Sequence, residues 1–251
     1  MKIYLAGYKT IEKHYNQSTK DIYLLSSFWE HKNGKYGEYV LQDKHILDSG
    51  AFTAINDKTG KYKNYDWNNY LKKYIDFIKI TKQKLFFELD IDCVVGLKKV
   101  EDYRKQIEDA VGIAPIVCWH QNRGPDYFIK SCEDYPYVAL GTTLASNIGK
   151  KIRKNPEILN WFINNAHKNN AKIHGLGFTS APWLAKLKFD SVDSTTWNVG
   201  GKFGNVIMFD KYGFPTQKYK DDNKRVKDSN GLNVFNFNQW VKFQKYAENN
   251  L

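Results

Sequence analysis

The sequence predicts a single α/β domain of the (β/α)8, TIM-like barrel type, trimmed at some of its connections. Three observations lead to this fold class. The chain has 251 residues, a length that one such barrel commonly occupies. Eight short apolar, β-rich runs end in polar or glycine-containing turns, and stretches with helical periodicity separate several of them. Alternating strands and helices indicate parallel βαβ units, and eight strands favour a closed barrel over an open doubly wound sheet.

The elements follow one another along the whole chain. The stretch 30–44 contains glycines and lysines with little helical pattern, so we expect irregular first connections. No repeat or composition step marks a second domain, and we expect residues 1–251 to form one domain with a C-terminal helix at about 237–249. The predicted strands are residues 3–7, 22–28, 45–52, 85–92, 113–120, 137–143, 172–178 and 189–195, and the helices between them 67–82, 99–111, 126–133, 156–169 and 181–188.

The composition excludes several classes of protein. With 42% hydrophobic and 16% aromatic residues, the chain is neither disordered nor fibrous. No apolar run approaches the roughly 18 residues that cross a bilayer, and the first apolar run is too short for a signal peptide. We therefore expect a cytoplasmic protein, in the host-cell cytoplasm if a phage encodes it. Cys93, Cys118 and Cys132 are widely spaced, so we expect no disulfide framework and no cysteine-rich zinc site. We also expect no other metal site and no cofactor.

The charge is strongly basic, with 38 Lys and Arg against 27 Asp and Glu and a net charge of +11. The excess is spread along the chain. Such a distribution is typical of a solvated surface, and it also suits a face that follows nucleic-acid phosphates. Charge alone does not decide between a solvated surface and a nucleic-acid-binding face. The sequence is also compatible with a homodimer.

Carboxylates stand at three of the predicted strand ends, where the loops of a barrel enzyme converge. Asp48 and Asp193 each follow an apolar strand; Asp48 can also stabilise a turn, and Asp193 can cap a helix. Glu88, Asp90 and Asp92 alternate, so we expect them on one face of a strand, with only Asp92 reaching water freely. Because buried acids are unfavourable unless they are bonded, this pattern favours a ligand site.

Three further strand ends carry candidate residues. His120, beside Trp119, suits a buried core histidine as well as a ligand contact. Gly141 and the pair Gly175 and Gly177 permit a close approach of the backbone to a flat ligand, or tight turns. The sequence contains no Walker loop, no Gly-x-Gly-x-x-Gly after a strand, no His-Glu-x-x-His and no Gly-x-Ser-x-Gly motif.

Four motifs, in order, resemble those of the tRNA-guanine transglycosylase superfamily. Residues 47–52, Leu-Asp-Ser-Gly-Ala-Phe, resemble its Asp-Ser-Gly-Gly-(Phe/Tyr) signature. Residues 139–143, Ala-Leu-Gly-Thr-Thr, resemble its Gly-Gly-Leu loop, and residues 174–177, His-Gly-Leu-Gly, its Leu-(Leu/Met)-Gly-(Val/Ile)-Gly segment. Residues 190–196, Asp-Ser-Val-Asp-Ser-Thr-Thr, are similar to its Asp-x-Phe-Asp-Cys-x-x-Pro-Thr segment. The resemblance covers about residues 48–196.

Departures from the family pattern point to its short form. The tRNA enzymes have a C-terminal Cys-x-Cys-x-x-Cys…His zinc site, which is missing here, and Ala51 replaces the second glycine. Asp-Ser-Thr-Thr-Trp also replaces their Cys-Val-x-Pro-Thr-Arg run. The chain is similar to the zinc-free phage and bacterial DNA 7-deazaguanine transglycosylases of the DpdA type, which replace guanine in DNA. This resemblance implies a barrel without a zinc subdomain, DNA and a free 7-deazaguanine base as partners, and no membrane partner.

The resemblance implies that Asp193 is the nucleophile. Base exchange at one sugar carbon with retained configuration requires two displacements, and hence a covalent glycosyl-enzyme intermediate. Asp48 is then expected to be the general acid and base.

The resemblance also implies a pocket for the base. The ring is expected between Phe52 and Leu176, with Asp90 accepting hydrogen bonds from its N1–H and amino groups. His120 and Trp119 stand where the tRNA enzymes have a Gln-Gly pair and are expected to face the 7-substituent or the sugar. The other expected substrate contacts are Ser49, Gly50, Gly141, Gly177 and the backbone N–H groups of Thr142 and Thr143. Two residues are expected to contact nucleic acid: Trp197, and Lys202 in the glycine-rich loop 200–204.

Three other functions are compatible with the sequence: a zinc-free tRNA-guanine transglycosylase, a barrel that binds nucleic acid or a partner without catalysis, and a hydrolytic glycosidase or nucleosidase. The presence of both Asp48 and Asp193 argues against the inactive barrel. Hydrolysis and exchange differ in whether water or a base reaches the intermediate, which these residues do not determine.

Overall fold

A seven-stranded parallel sheet forms the centre of the computed structural model, which describes residues 1–14, 21–55, 65–142, 147–178, 180–210, 215–218 and 228–251. The strand order is β3-β2-β1-β7-β6-β5-β4, and every neighbouring pair is parallel. The strands are β1 (Lys2–Ala6), β2 (Leu24–Ser27), β3 (His45–Asp48), β4 (Val117–His120), β5 (Tyr137–Gly141), β6 (Lys172–Gly175) and β7 (Ser191–Ser194).

Helices follow the strands along the chain and pack outside the sheet. They are α1 (Phe28–His31), α2 (Ala51–Ile55), α3 (Trp67–Thr81), α4 (Asp92–Val95), α5 (Leu97–Val111), α6 (Gly124–Asp134), α7 (Asn147–Lys154), α8 (Pro156–Lys168), α9 (Ala181–Leu184), α10 (Thr196–Phe203) and α11 (Ser229–Asn250), with 3-10 turns at Tyr8–His14, Glu38–Leu41 and Gln121–Arg123.

Local sequence explains where the longer helices begin and end. Asp66 caps α3 by accepting a hydrogen bond from the Asn69 N–H, and α3 ends at Lys82, which is left-handed. Asn155 caps α8 in the same way, with a proline in the first turn. Helix α3 buries Tyr70, Tyr74 and Phe77, whose spacing places them on one side of the helix.

Residues 85–88 connect the two edge strands of the sheet. The backbone of Leu47 in β3 makes two hydrogen bonds of 3.0 Å to this segment. On its other side, the backbone of Ile116 makes hydrogen bonds of 2.8 and 3.0 Å to it. The Tyr74 hydroxyl also donates a hydrogen bond of 2.8 Å to the Phe87 carbonyl. The segment has bridge pairing on both sides, although it is too short to form a regular strand.

The sheet is curled, and its concave face has a cluster of its own. Ile46 of β3 and Cys118 of β4 belong to the same buried cluster, although β3 and β4 are the opposite edges of the sheet. The other face of the sheet packs against the helices in a larger cluster. The concave-face cluster consists of Tyr4, Ala6, Tyr23, Leu25, Ile46, Phe87, Ile116, Cys118 and Ala139.

The C-terminal part of the chain packs against the first strand. Strands β8 (Val206–Phe209) and β9 (Pro215–Lys218) form a separate antiparallel pair. Helix α11 supports it, because Asn236 accepts a hydrogen bond of 2.8 Å from the Ile207 N–H. Gln244 of the same helix donates a hydrogen bond of 2.6 Å to the Ile3 carbonyl. These amide contacts anchor α11 to both β8 and β1.

The predicted elements mostly match the observed ones. Seven of the predicted strands overlap β1 to β7, whereas the predicted strand 85–92 is limited to bridge pairing at Phe86 and Phe87. The glycine-rich stretch 200–204, expected to be a loop, lies mostly within helix α10. The pair β8–β9 was not predicted, and α11 begins earlier than expected, at Ser229. In the described ranges, no helix has the length and apolar character to cross a membrane.

Candidate active site

Alternation along the strands brings candidate residues to one end of the curled sheet. Asp48 lies two residues after Ile46, and His120 two residues after Cys118. Ile46 and Cys118 are buried in the concave-face cluster. Because side chains of a strand alternate between its faces, Asp48 and His120 continue the same face at the carboxyl ends of β3 and β4.

Asp90 is held by two neighbours at this end of the sheet. The Ser49 hydroxyl donates a hydrogen bond of 3.2 Å to its Oδ1 atom, and His120 Nε2 lies 3.0 Å from its Oδ2 atom. The other ring nitrogen of His120, Nδ1, lies 3.1 Å from the Gly141 carbonyl oxygen. The Asp90 side chain keeps 16% of its surface exposed, so one edge of the carboxylate still faces solvent.

The two partners of His120 determine its protonation. A carbonyl oxygen and a carboxylate both accept hydrogen bonds, so the ring satisfies both when both nitrogens carry hydrogen. Burial opposes the charged ring, but the hydrogen bond to Asp90 and the charge of Asp90 together outweigh it and raise the pKa of His120. The arrangement is therefore an imidazolium beside a carboxylate.

Gly141 leaves the space that the His120 ring occupies. A Cβ atom at position 141 would lie 2.7 Å from the Cε1 atom of His120 and 2.8 Å from its Nδ1 atom. Real Cβ atoms do not come this close to other heavy atoms, so glycine is needed here for the ring to reach the Gly141 carbonyl. This contact with a side chain was not among the expectations for Gly141, which were a close approach of the backbone to a flat ligand or a tight turn.

Asp48 has an unusual environment for a carboxylate. It is half-buried, and its Oδ2 atom accepts a hydrogen bond of 3.1 Å from the Gly50 N–H. Burial, and after it the charge of Asp90, raises the pKa of Asp48 to about 7, and the charge of Asp193 contributes in the same direction. Near neutral pH the group is therefore able both to give and to take a proton.

Gly50 makes the turn after Asp48 possible. Its φ angle is +78°, in the left-handed region that favours glycine. A Cβ atom there would also lie 2.6 Å from the Ser27 hydroxyl oxygen and 2.7 Å from the Trp29 nitrogen. The Tyr70 hydroxyl donates a hydrogen bond of 2.6 Å to the Ser49 carbonyl and fixes the turn from α3.

Asp193 is fixed through one of its two oxygens. Its Oδ1 atom accepts a hydrogen bond of 2.6 Å from the Gly177 N–H and lies 3.3 Å from His174 Nε2. His174 is fully buried, and its other ring nitrogen lies 2.5 Å from the Ser191 hydroxyl. No residue in the described ranges makes a hydrogen bond to Asp193 Oδ2, and the side chain is 13% exposed. A rigid carboxylate with one unbonded oxygen is suited to attack a carbon atom.

Arg153 is a residue that the sequence did not single out. Its guanidinium donates hydrogen bonds to the Thr142 hydroxyl at 2.9 Å, to the Gly177 carbonyl at 3.1 Å, and to the Leu176 carbonyl. It also stacks on the Phe178 ring, 4.5 Å from the ring centre. Arg153 therefore holds the turn whose N–H group meets Asp193. Only its place within the basic run of α7 was visible in the sequence.

Known proteins supply no family for this chain. No protein-family model, no curated protein and no solved structure matches it. In the described ranges, no group of three or more His, Cys, Asp and Glu side chains is arranged to hold a metal ion. The chemistry of the site has to be argued from its own geometry.

Glu88 has a structural role. It is fully buried, and its carboxylate binds Arg104 at 2.7 Å, Arg123 at 2.8 Å and the Cys118 N–H at 3.0 Å. A buried carboxylate with three donors is satisfied without a ligand.

The expectation that Glu88, Asp90 and Asp92 share one face of a strand is wrong. The chain leaves the sheet after Phe87, so Asp90 turns toward His120, while Glu88 and Asp92 both bind Arg123. The expectation that only Asp92 reaches water is also wrong, since its side chain is 5% exposed and that of Asp90 is 16% exposed.

Two tryptophans lie in the core and not at the site. Trp119 is 3% exposed, packs 4.6 Å from the Phe162 ring and donates a hydrogen bond to the Gly124 carbonyl. It follows the strand alternation, which places it on the opposite face from His120, so the two residues do not face one ligand together; Trp119 lines a groove between α6, α7 and α8 instead. Trp197 is fully buried and donates a hydrogen bond of 2.9 Å to the Ala6 carbonyl. Because its side chain is fully buried, Trp197 does not contact nucleic acid as expected.

The roles of the remaining predicted residues stay predictions. Phe52 is 73% exposed on α2, and Leu176 is partly buried against the concave-face cluster. Thr142 is buried and accepts the hydrogen bond from Arg153. Thr143 lies outside the described residues, as does the side chain of Lys202, whose backbone is in α10.

Proposed function

We propose that this protein exchanges guanine in DNA for a 7-deazaguanine base, such as 7-cyano-7-deazaguanine, through a covalent aspartyl-glycosyl intermediate. One observation carries the proposal: two carboxylates with different environments lie at the strand ends of the curled sheet. Asp48 has a pKa of about 7, and Asp193 has a fixed Oδ1 and an unbonded Oδ2 in the described ranges. Pairs of carboxyl groups with divergent environments are typical of enzymes that break glycosidic bonds.

In the first displacement, Asp193 Oδ2 attacks the sugar carbon C1′ and the bond between C1′ and guanine N9 breaks. The electron pair of that bond leaves with guanine, which takes a proton from Asp48. In the second displacement, the incoming 7-deazaguanine gives its N9 proton to Asp48 and attacks C1′. The ester bond to Asp193 then breaks, and both carboxyl groups return to their starting states.

The base pocket of this proposal is centred on Asp90. Ser49 and the His120 imidazolium fix its carboxylate, whose exposed edge is suited to accept hydrogen bonds from the base N1–H and amino groups. Phe52 and Leu176 supply apolar faces on either side, and the backbone at Gly141 and Thr142 borders the pocket. Guanine and 7-deazaguanines share the same donor edge, so one pocket serves both.

The proposal includes a closed barrel. With residues 85–88 as an eighth strand between β3 and β4, the hydrogen bonds to Leu47 and Ile116 support a trimmed (β/α)8 barrel. DNA is the proposed polymer because residues 48–52, Asp-Ser-Gly-Ala-Phe, resemble the form of this motif in the DNA 7-deazaguanine transglycosylases. The target nucleotide has to be flipped out of a duplex or presented on a single strand, which requires a few kcal/mol.

The experiment supplies labelled 7-deazaguanine with either DNA or tRNA and measures label in the polymer. Wild-type protein is compared with Asp193→Asn and with Glu133→Gln, a matched change of an exposed carboxylate on α6. We expect label in DNA with the wild type and Glu133→Gln, and none with Asp193→Asn. Label in tRNA alone would overturn the DNA assignment. Release of free guanine without label would indicate hydrolysis, and neither product would indicate a binding protein without this activity.

A further inference from the structure

Helix α7 is strongly basic and exposed. Its sequence, Asn-Ile-Gly-Lys-Lys-Ile-Arg-Lys, contains no acidic residue. Lys150, Lys151 and Lys154 are exposed, and within the described ranges none of them forms an ion pair. Some exposed lysines on other helices differ, since Lys105 on α5 and Lys130 on α6 each pair with an aspartate one turn further on. The lysines of α7 therefore present uncompensated positive charge to solvent.

An apolar groove lies beside this helix, between α6, α7 and α8. Its volume is about 480 Å³, within the range of small-ligand sites. Ile148 of α7 is 63% exposed and Trp161 of α8 is 38% exposed, and both line the groove. Deeper in the groove lie Ile152, Ile158 and Phe162. Glu157 also lines it, and its negative charge disfavours a phosphate inside the groove itself.

Helix α7 is connected to the candidate active site by hydrogen bonds, and the groove, which Trp119 also lines, is connected to it along the chain. Arg153 of α7 binds the Thr142 hydroxyl and the Gly177 carbonyl, and the Gly177 N–H is bonded to Asp193. Gln121, which lines the groove, directly follows His120 in the chain. A strand that places one nucleotide in the site has to run across the rim beside it.

We propose that the single DNA strand next to the exchanged nucleotide docks on α7 and α8. Its phosphates bind Lys150, Lys151 and Lys154, and one neighbouring base enters the groove against Trp161 and Ile148. A basic track beside an exposed aromatic ring is how proteins bind single strands without reading sequence. The repulsion from Glu157 places a base, and not a phosphate, in the groove. The choice of DNA as the ligand rests on the proposed function; the location of the surface does not.

The first test reverses the charge of two lysines. Binding of a labelled single-stranded DNA 12-mer is followed by fluorescence anisotropy at several salt concentrations, for wild type and for K150E/K151E. We expect Kd to rise at least tenfold, and the slope of log Kd against log salt to fall by about 1.4, since each single-strand phosphate contact contributes about 0.7. The matched control is K72E/K73E, two exposed neighbouring lysines on α3, which should leave Kd and slope unchanged. Equal losses in both double variants would overturn the docking surface.

The second test concerns the base. Trp161→Ala should weaken binding of the 12-mer about fivefold or more, because each stacked base contributes that much or more in other single-strand proteins. An abasic 12-mer should bind wild type and Trp161→Ala equally. If the abasic and normal strands bind wild type equally, no base occupies the groove. Trp161→Phe, which keeps a ring packed on Phe128 and Phe162, provides a variant with less risk to folding.

The binding tests remain separate from catalysis when they are done in the Asp193→Asn variant. Loss of binding in K150E/K151E together with no exchange by the wild type would refute the proposed function and keep the docking surface. Normal exchange together with unchanged binding in K150E/K151E would refute the docking surface and keep the proposed function. If K150E/K151E lost binding to a tRNA but not to the DNA strand, DNA would be the wrong ligand.

Discussion

Replacing Asp48 with asparagine should remove a pH dependence of stability between about pH 4 and pH 7. Burial, followed by the charge of Asp90, raises the pKa of Asp48 from an ordinary value of 3.8 to about 7. In this interval the folded protein keeps the proton that the unfolded chain has lost, so the free energy of unfolding falls as pH rises. About three pH units at about 1.4 kcal/mol each give an upper limit of ~4 kcal/mol. Asparagine keeps an oxygen to accept the hydrogen bond from the Gly50 N–H.

The assay is urea unfolding of wild type and Asp48→Asn at pH 4.5 and pH 8. Because pH 4.5 already lies above the ordinary pKa of 3.8, the variant should gain up to ~3 kcal/mol of stability relative to the wild type between the two pH values. Glu133→Gln, an exposed carboxylate on α6, should show a nearly constant difference. If the difference for Asp48→Asn is also constant, Asp48 titrates as an ordinary carboxyl group. The acid–base role proposed for it would then lose its physical basis.

Three further substitutions separate the roles of the site residues. Asp193→Asn keeps an oxygen that accepts the hydrogen bond from the Gly177 N–H, but it removes the proposed nucleophile. The rate of base exchange should therefore fall by at least ~10³-fold, while the urea concentration at the unfolding midpoint stays the same. A smaller loss of rate would mean that another residue is the nucleophile. In Arg153→Lys, the ammonium group cannot hold the three oxygen acceptors of the guanidinium in the same geometry. We therefore expect kcat to fall about tenfold or more with little change in KM. An unchanged kcat would show that the 176–178 turn keeps its position without Arg153. Glu88→Gln leaves the buried Arg104 without a counter-charge and Arg123 with Asp92 as its remaining carboxylate partner. It should reduce the free energy of unfolding in urea denaturation by about 3–5 kcal/mol, and a loss below ~1 kcal/mol would mean that the ion pairs of Glu88 contribute little.

The order of strands and helices could be predicted because it depends on local periodicity. The apolar runs that became β1 to β7 are bounded by turns, and the long helices α3, α5 and α8 carry a regular buried face. The same rule places Asp48 and His120 on the concave face, since each follows a buried residue at a spacing of two. Helix α10 was missed because its glycines, Gly200 and Gly201, favour a loop locally and tertiary packing overrides that preference.

Contacts between distant segments could not be predicted in this way. Glu88 and Asp90 have the same charge and neighbouring positions, and their roles differ only because Arg104 and Arg123 reach the first and His120 the second. An aromatic side chain is equally consistent with a core and a surface contact, so the burial of Trp197 depends on α11, which packs beside it far along the chain.

The fit between Gly141 and His120 has a consequence for how this chain can vary. Any larger residue at position 141 would displace the imidazole, and Asp90 would lose its cationic neighbour at the same time. The two positions are therefore coupled: a histidine at 120 requires a glycine at 141. A smaller side chain at 120 would relieve the closest contacts, and the Trp119 carbonyl oxygen, 3.1 Å from a Cβ atom at 141, would remain. Mutant libraries that aim to change which base is accepted should vary positions 120 and 141 together. A replacement at position 141 alone would displace the His120 ring as well as change the shape of the pocket.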